Sequence, residues 1–325
     1  MSASGGRKHE LEVAAGAVRD AARLCRRVGA SARGQALAKE DRSPVTIADF
    51  GSQAIVCRRL AQEFPADPVV AEEDSAALRD ARRRPLLERL LGEVHASGWT
   101  ADETELLGAI DRGGARAAGD RFWTLDPIDG TKGFLRGDQY AIALALIEGG
   151  RPVLAVLACP ELAPGPGEPR GVLALAVRGA GASAEPLEGE TARRRELAVS
   201  PVDDPARARF CEPFEAAHSA HDRAAAVAEA LGIRREPLRM DSQAKYVAVA
   251  AGLAEIYLRI PREGGYREKI WDHAAGALIV SEAGGRVTDV RGRDLDFTRG
   301  RTLAENEGIV ASNGRFHDRI LAALA

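Results

Sequence analysis

Between Phe122 and Arg136 the chain runs Phe-Trp-Thr-Leu-Asp-Pro-Ile-Asp-Gly-Thr-Lys-Gly-Phe-Leu-Arg, and few architectures accommodate that order of residues. Phe122 to Leu125 is mostly apolar and suits a strand. It leads straight into two carboxylates, Asp126 and Asp129, and then into Gly130, Thr131 and Gly133, which suit a turn opening a helix. Carboxylates at a strand end, followed by unpaired backbone N–H groups, make a place for metal ions and phosphate. The same residues also suit an ordinary turn, because Asp before Pro commonly initiates one. The rest of the chain has to decide between the two.

Three other stretches place acids where an element begins or ends. Residues 41–46 read as a short loop, after which Asp49 precedes a helical pattern of Ala54, Ile55, Leu60 and Phe64. The short strand Val69-Val70-Ala71 ends in Glu72-Glu73-Asp74, and Asp272 stands before a helical run to Ala283. Taken singly, Asp49 and Asp272 are good helix N-caps and the Glu72 run is a solvated loop. Taken together they are carboxylates at the termini of neighbouring elements, which converge in α/β folds. Such a set, with no His or Cys cluster beside it, fits magnesium better than zinc. The chemistry it points to is metal-assisted phosphoryl transfer to water.

The remaining pattern frames that site. A helix is expected over residues 10–28, a charged helix-compatible segment over 82–110, and a Gly-rich loop over 113–119. Two β-rich runs, 140–147 and 153–159, read as a hairpin. Residues 160–195, dense in Pro, Gly and Arg around one strand at 172–177, read as a surface excursion tolerant of change. Beyond residue 200 helices (222–231, 242–251, 272–283, 314–324) alternate with strands (237–240, 254–260, 286–289, 308–311). This predicts an α+β domain over 1–199 carrying most of the metal ligands, and an α/β domain over 200–325 carrying Asp272.

Composition narrows the partners. The formal charge is −3, so no global field recruits nucleic acid or an anionic membrane. The four cysteines are widely separated, residues 1–10 lack the apolar core of a signal peptide, and the longest apolar run is too short to span a bilayer; these signs point to the cytoplasm. Among 45 basic residues only Lys8, Lys39, Lys132, Lys245 and Lys269 are lysines, and three of these lie in the stretches singled out here.

The order Asp49, Glu72-Glu73, Asp126-Pro-Ile-Asp-Gly-Thr131, Trp271-Asp-His-Ala-Ala-Gly276 resembles the magnesium-dependent, lithium-sensitive phosphatase superfamily that includes inositol monophosphatases and fructose-1,6-bisphosphatases. The resemblance implies the layered αβαβα sugar-phosphatase fold with the active site between two domains. It implies two or three Mg²⁺ ions. Glu72, Asp126 and the Ile128 carbonyl would hold the first; Asp126, Asp129 and Asp272 the second; Glu72 would help with a third. Asp49 and Thr131 would orient and deprotonate the attacking water, and the N–H groups of Gly130, Thr131 and Lys132 would take up phosphate oxygens.

The flanking residues carry the resemblance further. Lys132-Gly-Phe-Leu-Arg136 after the Asp-Gly-Thr is similar to the 3′(2′),5′-bisphosphate nucleotidase branch rather than to inositol monophosphatases, and residues 43–53, 241–246 and 266–273 agree with it. That implies hydrolysis of 3′-phosphoadenosine 5′-phosphate, and of the 5′-phosphosulfate, in sulfur assimilation. A nucleoside bisphosphate requires a second phosphate to be held without being cleaved. By resemblance Ser242, Lys245 and Arg259 would grip it, as suitable donors. His218 would lie near the substrate, although Ala217 replaces the family's Gly, and Asp241 would recognise the adenine. The alternatives are an inositol or sugar phosphatase on the same scaffold and a catalytically silent adenosine-bisphosphate binding protein. A monomer or homodimer acting on a small molecule is expected, without nucleic-acid or membrane partners.

Overall fold

The computed structural model describes residues 7–34, 43–115, 119–163, 168–189, 194–214, 221–260 and 266–325. The hairpin runs are strands β3 (Ala141–Glu148) and β4 (Arg151–Cys159), and their residues explain the layering. In β3, Ile142, Leu144 and Leu146 alternate with Ala141, Ala143 and Ala145, and all six are buried. Successive side chains of a strand point to opposite faces, so this is a sheet covered on both sides, by large residues on one face and small ones on the other.

The sheet has seven strands in sequence order: β1 (Val69–Ala71), β2 (Arg121–Asp129), β3, β4, β5 (Val172–Val177), β6 (Ala182–Pro186) and β7 (Arg195–Glu196). Only the β1–β2 pair is parallel. Its large-residue face packs on helices α1 (Lys8–Gly34) and α2 (Ser43–Glu63), with α3 (Arg84–His95) and α4 (Glu103–Asp111) against α2. The alanine face admits α7 (Ala244–Ala250) and α8 (Ala274–Glu282), of which α8 lies directly across β3, β4 and β5.

A second sheet covers the other side of α7 and α8. Its order is β11 (Arg286–Thr288), β12 (Ile309–Ser312), β10 (Ile256–Arg259), β8 (Phe210–Glu212) and β9 (Leu238–Arg239). Helices α6 (His221–Leu231) and α9 (His317–Leu324) close the far side through Val227, Ile256, Val310 and Ile320. The layers are therefore αβαβα, as the resemblance implies, and no helix among the described residues is long and apolar enough to cross a membrane.

Three local expectations need correction. Residues 43–46 are not loop: α2 starts at Ser43, and Pro44 is accommodated because the first turn of a helix needs no N–H donor there. Asp49 is consequently inside the helix and not its N-cap. The segment 82–110 is two helices, broken at 96–102 and restarted by a capping box between Asp102 and Glu105. Among the described residues, 160–195 holds two strands and the start of a third, and buried β5 pairs with β4 on one side and β6 on the other, so this stretch belongs in part to the main sheet.

Candidate active site

Helix α2 presents Asp49, Ser52 and Gln53 from one face, as the three- and four-residue spacing dictates. All three are buried. Gln53 Nε2 donates to the carbonyls of Glu73 at 2.7 Å and Ile110 at 2.8 Å, and Gln53 Oε1 accepts from the Glu73 N–H at 3.1 Å. This fixes the turn that carries Glu72 out of β1. In the parallel pair Ala71 lies opposite Leu125, so Glu72 leaves β1 at the level at which Asp126 leaves the regular part of β2.

Beyond Asp126 the pairing with β3 slips, with Asp126 opposite Ala143 and Asp129 opposite Ala141. Three steps on β2 thus match two on β3. Pro127, which cannot donate to a ladder, sits in this bulge, and its carbonyl accepts from Ser52 Oγ at 2.9 Å. The bulge re-aims the two aspartates. Asp126 is buried, and its Oδ1 has no hydrogen-bond partner among the described residues.

A buried carboxylate oxygen without a donor is costly unless a cation meets it. The titration behaviour agrees. Burial, then Glu72, Asp129, Asp272 and Asp49 raise the proton affinity of Asp126 well above the ordinary carboxylate range. Burial, then Glu73 and Glu72 do the same for Asp49. Glu72 is exposed on one side yet crowded by protein; desolvation, Glu73 and Asp129 push it to about 7, against the pull of Lys269 and Arg301. Asp272 is pushed to about 7, chiefly by burial and Asp129, while His273 and Arg259 pull it down. Oxygen donors that mutually resist ionisation are the donor set a hard divalent cation satisfies, and Glu72, Asp126, Asp129 and Asp272 fit magnesium.

After Asp129 the chain turns through Gly130 into the short helix α5 (Thr131–Arg136). Gly130 has φ +88°, and a Cβ there would stand 2.8 Å from Ser242 Cβ, so both conformation and close approach require glycine. Here the segment before α7 docks. The Gln243 N–H donates to Asp129 Oδ2 at 2.6 Å, and Gln243 Nε2 donates to the Trp271 carbonyl at 2.9 Å. One buried glutamine thus ties the loop of Asp129 to the loop of Asp272.

The cavity beside these loops is about 500 Å³ in volume and is walled by Asp129 to Gly133, Asp241 to Gln243, Lys245, Tyr257 to Ile260, Tyr266, Glu268 and Asp272, with Pro213 at its edge. Thr131, Lys132, Ser242, Lys245 and Arg259 are brought together in this wall with Asp129 and Asp272. Asp49, Glu72, Asp126 and Ile128 are not part of it and belong to the carboxylate group behind Asp129. Ser242 takes a left-handed φ of 67°, a strained conformation for a non-glycine. Lys245 is buried; its Nζ donates to the Ser242 carbonyl at 2.8 Å and lies 5.2 Å from the Tyr257 ring centre. No carboxylate lies within ion-pair distance of Lys245 among the described residues, and burial lowers its proton affinity.

Arg259 differs: its Nε is 2.8 Å from Glu268 Oε2 and its Nη2 is 3.7 Å from Asp272 Oδ2. Glu268, Asp272 and His273 lie close enough to hold a metal ion, but Glu268 is already engaged by the guanidinium and by His273, which opposes a cation there. Asp241 is also engaged, through Oδ2 with Arg136 and through Oδ1 with the Phe214 N–H at 3.3 Å. His218 lies outside the described residues.

Sequence reading missed Gln53 and Gln243, whose side chains set the two acidic loops, and Glu268, which braces Arg259. The signal available was weak: polar residues at helical spacing from motif residues, indistinguishable in sequence from a solvated face.

Comparison with known proteins accords with this geometry. The chain matches the inositol monophosphatase family over residues 7–325. It is 46% identical over 347 aligned positions to a rice protein named 3′(2′),5′-bisphosphate nucleotidase, covering 100% of this chain and 96% of that one. An Emericella nidulans protein of the same name is 44% identical, with 89% of each chain covered. Among solved structures, an inositol monophosphatase from Zymomonas mobilis superposes with a TM-score of 0.65 at 19% identity, covering 100% of this chain and 99% of that one, a likeness of fold alone. A shared layer order, an acidic cluster at the bulge of β2 and a match over nearly the whole length lead to one assignment: the chain belongs to the inositol monophosphatase family.

Proposed function

We propose that this chain is a magnesium-dependent 3′(2′),5′-bisphosphate nucleotidase that removes the 3′-phosphate of 3′-phosphoadenosine 5′-phosphate, and accepts the 5′-phosphosulfate as well. The observation that carries the reading is Lys245: a buried ammonium with no carboxylate within ion-pair distance among the described residues, in the wall of the cavity that Asp129 and Asp272 also line. An anion that fits there is a second phosphate, held at a distance from the one that reacts. The names of the full-length relatives at 44–46% identity support the same substrate class.

Glu72, Asp126, Asp129, Asp272 and the Ile128 carbonyl would hold two or three magnesium ions. When bound, these supply Lewis-acid polarisation and neutralise charge on the transferring phosphoryl group. The chain's own groups do the rest. The N–H groups of Gly130, Thr131 and Lys132 bind oxygens of the reacting phosphate, and Ser242, Lys245 and Arg259 hold the other one through charge-assisted hydrogen bonds. The Thr131 hydroxyl orients the attacking water. Asp49, buried in α2 with raised proton affinity, receives its proton. With the domain boundary expected near residue 199, Asp49, Glu72, Asp126, Asp129 and Thr131 would fall in one domain and Asp272 with Ser242, Lys245 and Arg259 in the other.

Phosphate release from 3′-phosphoadenosine 5′-phosphate, AMP, inositol 1-phosphate and fructose 1,6-bisphosphate, with and without magnesium, tests the reading. The nucleoside bisphosphate is expected to have the highest kcat/KM and AMP to be the released product. Preference for inositol 1-phosphate would assign the scaffold to an inositol phosphatase, and binding of the bisphosphate with no release would make it a silent binding protein.

A further inference from the structure

A buried hydrogen-bond chain lies behind the cavity. Tyr246 Oη is 2.9 Å from His273 Nδ1, His273 Nε2 is 3.0 Å from Glu268 Oε2, and the same oxygen is 2.8 Å from Arg259 Nε. For a neutral imidazole the roles are set: an ionised Glu268 accepts from both Arg259 and the His273 Nε2–H, which leaves Nδ1 to accept from the tyrosine hydroxyl. His273 and Tyr246 are completely buried, and Glu268 nearly so.

The chain is held in place by packing as well as by hydrogen bonds. A Cβ on Gly276 would stand 2.2 Å from Tyr246 Cδ2, so α8 has glycine where the Tyr246 ring crosses it. The other face of that ring meets Tyr257 edge-on, with centroids 5.0 Å apart. Tyr246 is therefore held in place, and among the described residues its hydroxyl is partnered by His273. Arg259, at the other end, reaches the cavity wall with its guanidinium already fixed in orientation.

From this geometry we infer that Tyr246, His273 and Glu268 are positioning residues that hold the Arg259 guanidinium ready for the second phosphate, and so set the preference for bisphosphates over monophosphates. The inference rests on the nucleotidase reading above. An unbraced arginine would have to lose its rotamer freedom on binding, whereas a braced one has already lost it. The effect should fall on the substrate that carries the second phosphate, and on KM more than on kcat. His273 adjoins Asp272 in sequence, so the informative variants are the two outer members.

The experiment compares kcat and KM of the magnesium-loaded enzyme for 3′-phosphoadenosine 5′-phosphate and for adenosine 3′-monophosphate, in the wild type, Arg259→Lys, Glu268→Gln, Tyr246→Phe and the Arg259→Lys/Glu268→Gln double variant. Glu268→Gln is expected to raise KM for the bisphosphate about tenfold relative to KM for the monophosphate, and Tyr246→Phe about two- to threefold in the same direction. The double variant should be no worse than Arg259→Lys alone, because the brace acts only through the guanidinium. Should Glu268→Gln fail to fold, Tyr246→Phe removes a single oxygen and still reads the same ratio. A wild type without preference for the bisphosphate would overturn the nucleotidase reading and this inference together. A preference lost in Arg259→Lys but kept in both brace variants would overturn the inference alone, as would a preference that survives Arg259→Lys, or an equal loss of kcat on both substrates.

Discussion

The cleft has two ends built on opposite electrostatic plans. At one, Glu72, Asp126, Asp129 and Asp272 crowd together, and burial and mutual repulsion raise the proton affinities of Glu72, Asp126 and Asp272. At the other, Lys245 is buried against a tyrosine ring and backbone carbonyls, and burial lowers its proton affinity. Each end is poor as a self-contained protein core and good as half of a complex, the acids with cations and the lysine with an anion. The two halves also differ in bracing: the acids hang on backbone fixed by Gln53 and Gln243, whereas Arg259 hangs on a side-chain relay. On the proposed function, the acidic end would require fixed positions for chemistry and the cationic end would select what is brought to it.

Removing one member from each end should separate these roles. Asp126→Asn keeps the shape but removes the charge of the most buried acid of the cluster, and kcat should fall by about a thousandfold or more, with KM for the bisphosphate changed little. Retention of most magnesium-supported turnover would contradict Asp126 as a shared ligand. Lys245→Ala should do the reverse: KM for the bisphosphate rises about a hundredfold, since a charge-assisted contact of about 2–3 kcal/mol is lost, while slow hydrolysis of a monophosphate continues. An equal loss on both substrates would mean that Lys245 serves the fold rather than the second phosphate.

The two ends were unequally legible in the sequence. The acids stand out because Asp126-Pro-Ile-Asp-Gly-Thr131 and Trp271-Asp272 combine strand-end carboxylates with residues, Pro127 and Gly130, that local geometry demands at a bulge and at a positive φ. Asp49 was identified but misplaced, because residues 41–46 read as a loop where α2 already begins at Ser43. The layers were expected only through the family resemblance, and the alanine face of β3 says nothing of what covers it; α8 comes from more than a hundred residues further along the chain. Lys245 was conspicuous only by its rarity in an arginine-rich chain. Its lack of a carboxylate within ion-pair distance among the described residues is a three-dimensional fact, as is the relay from Tyr246 to Arg259.

The electrostatic contrast also predicts opposite responses to magnesium and pH. Glu72 and Asp272 have folded-state proton affinities raised to about 7, above the unfolded carboxylate range. Groups raised in this way favour the folded state most fully below the unfolded value, and that contribution is lost as pH rises through about 7. The chelator-treated protein should therefore melt at a lower temperature at pH 8 than at pH 5.5. Magnesium should restore most of the difference at pH 8 and add little at pH 5.5, and its apparent affinity should weaken about tenfold per pH unit below 7 for each proton it displaces. Thermal melts with chelator and with magnesium check this, and a chelator-treated protein that becomes more stable toward pH 8 would contradict the shared acidic site.

The smallest expected effect lies where the two ends meet. Ser242 keeps a left-handed φ of 67° against the close approach of Gly130, and its side chain lines the cavity. Glycine would adopt that conformation freely, so Ser242→Gly gains relief of about 1 kcal/mol in the folded state and gives up a similar amount through a more flexible unfolded chain. The melting temperature should therefore stay within about 2 °C of the wild type, while loss of one hydroxyl contact raises KM for the bisphosphate about three- to fivefold. On the proposed function, a contact of the hydroxyl with substrate would account for strain kept without stability gain. If Ser242→Gly left KM unchanged, the serine would have no part in the cationic end, and the selection of the second phosphate would rest on Lys245 and the braced Arg259 alone.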